Sequence, residues 1–313
     1  MLLGDNIVIG GTTAATVRPL RRYDRCDGTT AARSGSAGFF MSSTVGTGNL
    51  YGTDLRTGKV GPFILHERLY PAHFHTPRHR HDRPLFCFVV RGSYTETYGT
   101  RTRSCQPSNL LFHAPGEEHA EKFHGAGGCS FLVEIDEEWL DQLRAHCRVI
   151  DTSFDCDGGM LSLLAARIYK EFGEPDDLSP LVIEGLMFEL IGETSRRARD
   201  CTASQAPKWL KQARQLLNDS FAEPLTLAQI AASVGVHPAH LAKAFHRFYN
   251  CTVGVYIRQQ RIDFACKALA TTDLPLSQIA LAAGFSDQSH LTRLFKRKMT
   301  VSPAQYRTLL RMP

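Results

Sequence analysis

The sequence predicts an α+β chain of two domains, a small N-terminal β-barrel with flanking helices followed by an all-α domain. Three observations predict it. Short apolar runs separated by Gly, Pro and Asn fill residues 62–135. Helical periodicity takes over after them, and a helix pair is repeated within residues 207–313. The length of 313 residues fits two domains at roughly 100–200 residues each. With 43% apolar and 21% charged residues, wholesale disorder, a fibre and a small disulfide scaffold are excluded. The densest apolar runs, at 85–90 and 181–192, fall short of the roughly 18–20 residues of a membrane span. The start MLLGDNIVIG has neither the basic region nor the cleavage signal of a secretory peptide, so the expected location is the cytoplasm, with no membrane partner.

Residues 1–61 are rich in Gly, Ser and Thr with little apolar periodicity, and read as a flexible leader. Every motif described below follows Met41, so translation is expected to begin there. Residues 62–135 carry the barrel strands PFILHERLY, LFCFVVRG, SYTETYG, NLLFHAPG and CSFLVEI. Residues 136–199 read as a helical covering or dimerisation segment. DEEWLDQLRAH opens with acidic residues suited to a helix N-terminus, and two longer helices follow. The last of them places Val182, Leu186 and Leu190 at helical spacing, with Ile183 and Met187 beside them. Such helices either cover the barrel or pair between two copies in a homodimer. DCTASQAP, 200–207, reads as a linker, and 208–313 as the second domain.

The nine cysteines are odd in number and contain no C-x-x-C, which disfavours a disulfide framework. Charge divides unevenly. Residues 207–313 hold 14 Lys or Arg against 5 Asp or Glu, and residues 1–206 hold 22 against 26. A basic compact segment beside a mildly acidic one points to a polyanion partner, and nucleic acid is the usual one.

The repeat gives that partner a site. AQIAASVGVHPAHLAKAFHR aligns with SQIALAAGFSDQSHLTRLFKR, and each copy is a helix, a Gly-containing turn and a second helix. Ala231 and Ala280 are small where two helices must cross closely. Gly235 and Gly284 suit a left-handed helix end. Leu241 with Phe245, and Leu291 with Phe295, lie four apart and anchor each second helix to its core. Pro238 fits the first turn of one second helix, and Ser286 is the expected N-cap of the other.

The outward residues remain for DNA. Base reading is assigned to Lys243 in the first copy and to Gln288, Ser289, Thr292 and Arg293 in the second. These types match adenine, guanine or a thymine methyl in the major groove. His246, Arg247, Lys296, Arg297 and Lys298 are assigned to phosphates, which supply affinity and register rather than sequence choice. A continuous helix over about 253–270 separates the copies. At ~1.5 Å per residue it is long enough to set two recognition helices about one DNA turn apart.

The run SQIALAAGFSDQSHLTRLFKRKMTVSPAQYR resembles the signature of the AraC/XylS family of bacterial transcription regulators. The likeness rests on its GFS-D turn, its L-x-R-x-F-K helix and its ending at Ser302, Pro303, Tyr306 and Arg307. The resemblance implies a double helix-turn-helix domain bound to double-stranded promoter DNA, often with contact to RNA polymerase. It also implies a small-molecule effector in the N-terminal domain. Ala239 and Ala242 stand where the family often has larger polar or aromatic residues, leaving Lys243 as the main base reader of the first unit.

Eight of the 13 histidines lie between 66 and 124. His79-x-His81 before one strand and P-G-E-E-His119 after another resemble the two motifs of a cupin barrel. The position of the carboxylate in enzymatic cupins is Leu85 here. Regulators of the AraC/XylS type commonly carry a metal-free cupin-like effector domain, so the histidines are expected as pocket-lining polar groups and no cofactor is expected. The alternative is a divalent metal on His79, His81 and His119, since three imidazoles are chemically sufficient. Phe86, Phe88, Tyr94 and Tyr98 are the expected aromatic lining of an effector pocket. The expected function is that of an effector-controlled, sequence-specific transcription regulator, not an enzyme; the alternative is a metal-dependent cupin enzyme with a DNA-binding appendage. The sequence leaves open the effector, the target promoters, and activation against repression.

Overall fold

The structure, a computed structural model, describes residues 43–45, 50–144, 153–200 and 206–311. Residues 1–42 of the expected leader, with the Met41 start, and 201–205 of the expected linker lie outside them. Among the described residues the N-terminal half is a largely antiparallel nine-stranded sheet: β1 (Ser43–Val45), β2 (Thr53–Val60), β3 (Phe63–Tyr70), β4 (His79–His81), β5 (Leu85–Tyr98), β6 (Arg101–Cys105), β7 (Asn109–His113), β8 (His119–Ile135) and β9 (Phe154–Asp157). Two boundaries differ from the sequence reading. The segment read as leader already contains β2, whose residues pair antiparallel with β3. The segment read as purely helical contributes β9, which pairs with β7. Both strands are short and polar or exposed on one face, so neither shows an apolar run.

The long strands β5 and β8 form the spine. Leu85–Phe88 pair with β7 on one side and with the end of β8 on the other, and Tyr94–Tyr98 pair with β6 and the beginning of β8. Register shifts at Val89/Arg91 and Gly92/Tyr94 bend β5 between these halves. Gly92 makes the bend feasible. Its φ is 77°, and a Cβ there would meet the Gly127 carbonyl oxygen at 2.0 Å.

The sheet has two apolar faces. On one, Phe63, Leu65, Phe86, Phe88, Phe112, Phe131 and Ile135 pack under α2 (Gly159–Gly173) and α3 (Ser179–Asp200), while α1 (Glu137–Arg144) closes one end. Each fully buried Phe or Leu contributes roughly 1.5–3 kcal/mol. The face of α3 turned inward is Ile183, Leu186, Met187 and Leu190. Val182, expected on that stripe, is 38% exposed, together with Leu178, Leu181 and Phe188. On the other face, Leu50, Tyr70, Leu85, Cys87, Tyr94, Leu111, Phe123 and Leu132 enclose a separate interior.

The C-terminal half is all-helical: α4 (Lys208–Asp219), α5 (Leu227–Ser233), α6 (Pro238–Tyr249), α7 (Val253–Thr271), α8 (Leu276–Ala282), α9 (Gln288–Met299) and α10 (Pro303–Leu310). Capping boxes start α5 (Thr226 with Gln229) and α10 (Ser302 with Gln305). The two helix-turn-helix units are not equivalent. The first, α5–α6, has its own core with α4, through Leu210, Leu217, Ile230, Leu241 and Phe245. The core of the second, α8–α9, with Ile279, Leu291, Phe295 and Tyr306, is continuous with the core under the sheet. At 19 residues, α7 is about 28 Å long and serves both units.

Candidate functional site: a DNA-facing helix and a histidine cavity

The repeated residues hold the second helices in place. Ala231, Leu241, Phe245, Ala280, Leu291 and Phe295 are all completely buried. Gly235 and Gly284 both have positive φ, 69° and 76°. Gly284 is doubly constrained, because a Cβ there would meet the Ala222 carbonyl oxygen at 2.3 Å, whereas Gly235 has open space around it. The expected N-cap of α9 needs correction. The carboxylate of Asp287, not Ser286, accepts the His290 N–H at 2.7 Å, and the Ser286 hydroxyl donates to Asp287 at 3.0 Å. Two adjacent good capping residues made the position ambiguous by one, and the carboxylate additionally complements the helix dipole.

With one side of α9 buried, Gln288, Ser289, Thr292, Arg293, Lys296 and Arg297 line a single open groove on the other. The Thr292 hydroxyl donates to the Gln288 carbonyl at 2.8 Å, so it offers a partner its methyl group and an accepting oxygen. Lys298 is exposed but stands on the opposite side of the helix, since each residue turns by about 100°; it does not share the groove with the other basic residues. On α6, Lys243, His246 and Arg247 are exposed, with the Arg247 guanidinium 5.7 Å from the Phe248 ring centroid.

The second site lies inside the sheet. His79 and His81 on β4, His113 at the end of β7 and His119 at the start of β8 are all at least 93% buried and line one cavity with Thr76, Leu85, Cys87, Tyr94 and Glu121. Cross-strand pairing builds it, because His79 is the direct partner of His119. The His79, His81 and His119 ligand atoms lie within 4.8 Å of one another, as do those of Glu96, His113 and His119. Backbone carbonyls fix two of the rings. His79 Nδ1 lies 2.9 Å from the Pro77 oxygen and His119 Nδ1 lies 3.2 Å from the Glu117 oxygen, so each Nδ1–H donates and each Nε2 faces inward.

Carboxylates surround these rings. Glu121 Oε1 is 3.4 Å from His119 Nε2, and the Thr76 hydroxyl donates to the same carboxylate. Glu96 is completely buried and accepts both arms of a bidentate pair from Arg103, at 2.9 and 3.1 Å, with His113 Nδ1 at 3.5 Å. Burial sets the protonation of most of the cluster. It lowers His79, takes His113 well below the ordinary range and pushes His81 down to about 3, the other histidines adding to the effect on His81 and His113. Burial opposes ionisation of Glu121, yet the His119 ring beside it holds that carboxyl down at about 2. Cys87 is pushed up to about 12 by burial and stays a thiol.

The cavity's free volume is about 20 Å³, on the order of one water molecule, where pockets for drug-sized ligands run to ~300–1,000 Å³. Of the four aromatic residues expected to line a pocket, only Tyr94 does so. Phe86 and Phe88 point to the opposite face, under the helices, because the register shifts in β5 change which alternation faces inward. Tyr98 is half-exposed and lies under the Arg103 guanidinium, 4.6 Å from its ring centroid.

The two halves meet at a seam. The Gly159 N–H donates to the Tyr306 hydroxyl at 2.7 Å, and the Ser108 hydroxyl donates to the Leu310 carbonyl at 3.0 Å. A crevice of about 350 Å³ opens there between the β6–β7 turn, Gly158 and the α7 residues Lys267, Ala270 and Thr271.

Comparison with known proteins decides the family. A helix-turn-helix domain model matches residues 230–308, and an AraC-like ligand binding domain model matches residues 60–191. The probable transcription factor PqrA of Proteus vulgaris is 37% identical over 106 residues, which are 34% of this chain and 83% of PqrA. This chain belongs to the AraC/XylS family of transcription regulators. The transcriptional activator NphR of a Rhodococcus species is 31% identical over 251 residues, covering 79% of this chain and 62% of NphR. An uncharacterized HTH-type transcriptional regulator of Bacillus subtilis, YfiF, is 22% identical over 279 residues, 83% of this chain and 88% of YfiF.

As an AraC-type regulator, the chain joins an N-terminal ligand-binding domain to a C-terminal DNA-binding domain. In this AraC-type architecture the three histidines singled out in the sequence converge, and the structure adds His113, Glu96 and Glu121, which the sequence reading missed. A signal for one of them was present: Glu121 follows His119 by two, which places both on one face of a strand. Leu85 does line the cavity, and the carboxylates come instead from Glu96, farther along the same strand β5, and from Glu121 on β8.

Proposed function

We propose that the protein is a cytoplasmic bacterial regulator without enzymatic activity that reads promoter DNA through α9 and, more weakly, α6. The observation that carries this reading is the open face of α9. It concentrates one amide, two hydroxyls and three cations in one open groove of a helix that is anchored through buried Leu291, Phe295 and Met299. Gln288 and Arg293 have the donor and acceptor geometry for base edges, and Lys296 and Arg297 reach phosphates. Lys243, His246 and Arg247 supply a second, largely electrostatic contact. No described helix is long and apolar enough to cross a membrane, which fits this location.

The protein acts as a homodimer and an activator that contacts RNA polymerase. Activation follows NphR, which is named a transcriptional activator, and the polymerase contact follows the family resemblance. The dimer reading rests on α3, whose outer side exposes Leu181, Val182 and Phe188, with exposed Leu178 in the turn just before it. The occupant of that face is the same face of a second copy. Ligand binding shifts the domain arrangement by favouring one state of the seam between α2 and α10, since only a difference in affinity between states moves an equilibrium. The test is selection and sequencing of genomic fragments bound by the full chain, followed by transcription from the enriched sites. Enrichment of a motif and stimulated transcription support the reading, and uniform recovery of fragments rejects it.

A further inference from the structure

We propose that the crevice at the seam between the two halves is a binding site for a small, hydroxylated organic anion. This rests on the reading of the chain as a ligand-controlled regulator.

Size and place come first. The histidine cavity has a free volume of about 20 Å³, room for one water. The seam crevice has about 350 Å³, within the ~300–1,000 Å³ of small-molecule sites, which favour the boundary between domains. Its walls come from both halves. Ser104 of β6, Gln106 in the turn after it, Asn109 at the start of β7 and Gly158 before α2 face Lys267 and Thr271 of α7.

These walls are held in place. Ser108 has a left-handed backbone, φ 72°, uncommon outside glycine, and its buried hydroxyl donates to the Leu310 carbonyl at 3.0 Å. Gly158 has a φ of 78°, and a Cβ there would lie 3.3 Å from the Tyr306 hydroxyl and 3.5 Å from the backbone of Cys266 and Lys267. Glycine at this position lets the start of α2 lie close against α7.

The chemistry of the walls selects the guest. Lys267, exposed on α7, carries the only charge among the described residues that line the crevice, and no carboxylate lines it. α2, which starts at this wall, has no side-chain N-cap and no acidic residue in its first turn, so its dipole adds to the same sign. The rest is largely neutral and polar. The Gln106 N–H donates to Asn109 Oδ1 at 2.7 Å, which orients that amide. The Thr271 hydroxyl donates to the Lys267 carbonyl at 2.9 Å and is left to accept from a guest hydroxyl. A hydroxy acid or a sugar phosphate matches one cation ringed by hydroxyls and amides, and a fatty or purely aromatic acid does not. A guest held by both walls stabilises the docked arrangement over any in which α7 leaves the β6–β7 turn.

The experiment is isothermal titration of the full chain, at one moderate salt, with D-gluconate, D-glucose 6-phosphate, D-glucose and inorganic phosphate. The expected result is saturable binding of one gluconate or one glucose 6-phosphate per chain, with neither glucose nor inorganic phosphate matching it. The preferred arm tells a carboxylate guest from a phosphate ester. Lys267→Met should weaken binding by at least roughly tenfold, the loss expected for a charged hydrogen bond. Ser104→Trp, which fills the crevice from the sheet side, should abolish it, and Lys170→Met, at an exposed lysine in the last turn of α2, should leave it unchanged. Circular dichroism of each variant separates loss of the site from loss of the fold. The proposal is overturned if neither organic anion binds, if inorganic phosphate binds as tightly as they do, or if folded Lys267→Met or Ser104→Trp binds like the wild type. DNA selection is a separate measurement, so a chain that enriches a motif yet binds no anion fails here alone.

Discussion

The hydroxyl of Tyr306 on α10 contacts both backbone groups of Gly159 at the start of α2, accepting from its N–H at 2.7 Å and lying 3.3 Å from its carbonyl oxygen. Tyr306 is completely buried and also meets Phe295 edge-to-face, with centroids 5.2 Å apart. One side chain therefore ties the core of the second helix-turn-helix unit to the first helix of the ligand-binding half. Tyr306→Phe keeps the packing and leaves the Gly159 N–H without its partner, which costs about 1–3 kcal/mol. Thermal unfolding should show that loss.

Arg293→Ala should lose about 1–3 kcal/mol on the best site and relax the preference at one base pair, because a bidentate base contact disappears. Lys296→Ala should weaken specific and random DNA alike and reduce the salt dependence by about one phosphate. Titrations at two salt concentrations separate the two behaviours. Equal losses on both kinds of DNA for both variants would contradict the assigned roles.

The two turn glycines should differ. Gly235→Ala meets only the left-handed backbone, a cost of roughly 1–2 kcal/mol, because nothing crowds its Cβ position. Gly284→Ala carries the same backbone cost and also drives a Cβ into the Ala222 carbonyl. Chemical denaturation should therefore rank Gly284→Ala as clearly the more destabilised.

Leu181 is 72% exposed on α3. Leu181→Glu places a charge in the middle of the expected dimer face and should convert dimers to monomers at micromolar concentration in sedimentation, with an unchanged melting profile of the monomer. A wild-type chain that sediments only as monomer would remove this face from the account.

The helix-turn-helix half was legible in the sequence because its determinants are local. Leu241 with Phe245, and Leu291 with Phe295, meet by helical spacing alone, and Gly235 and Gly284 mark the turns by their own backbone preference. The sheet half was legible in class but not in detail. Strand alternation cannot anticipate a bulge, so it puts Phe86 and Phe88 in the pocket that Leu85, Cys87 and Tyr94 line. Glu96 and His113 come from strands that both pair with different stretches of β5 or lie within it, and their encounter near His119 depends on that non-local pairing. The H-x-H and His119 stand out because their short motifs are local and resemble the two motifs of a cupin barrel.

Genomic fragment selection by the full chain and by residues 207–313 in parallel, at one fixed moderate salt, tests the central claim most directly. The account predicts that both enrich a shared motif with two groove contacts about one helical turn apart. It also predicts that Arg293→Ala erases one position of that motif. Recovery of fragments in proportion to their abundance, with no motif in either case, would contradict it.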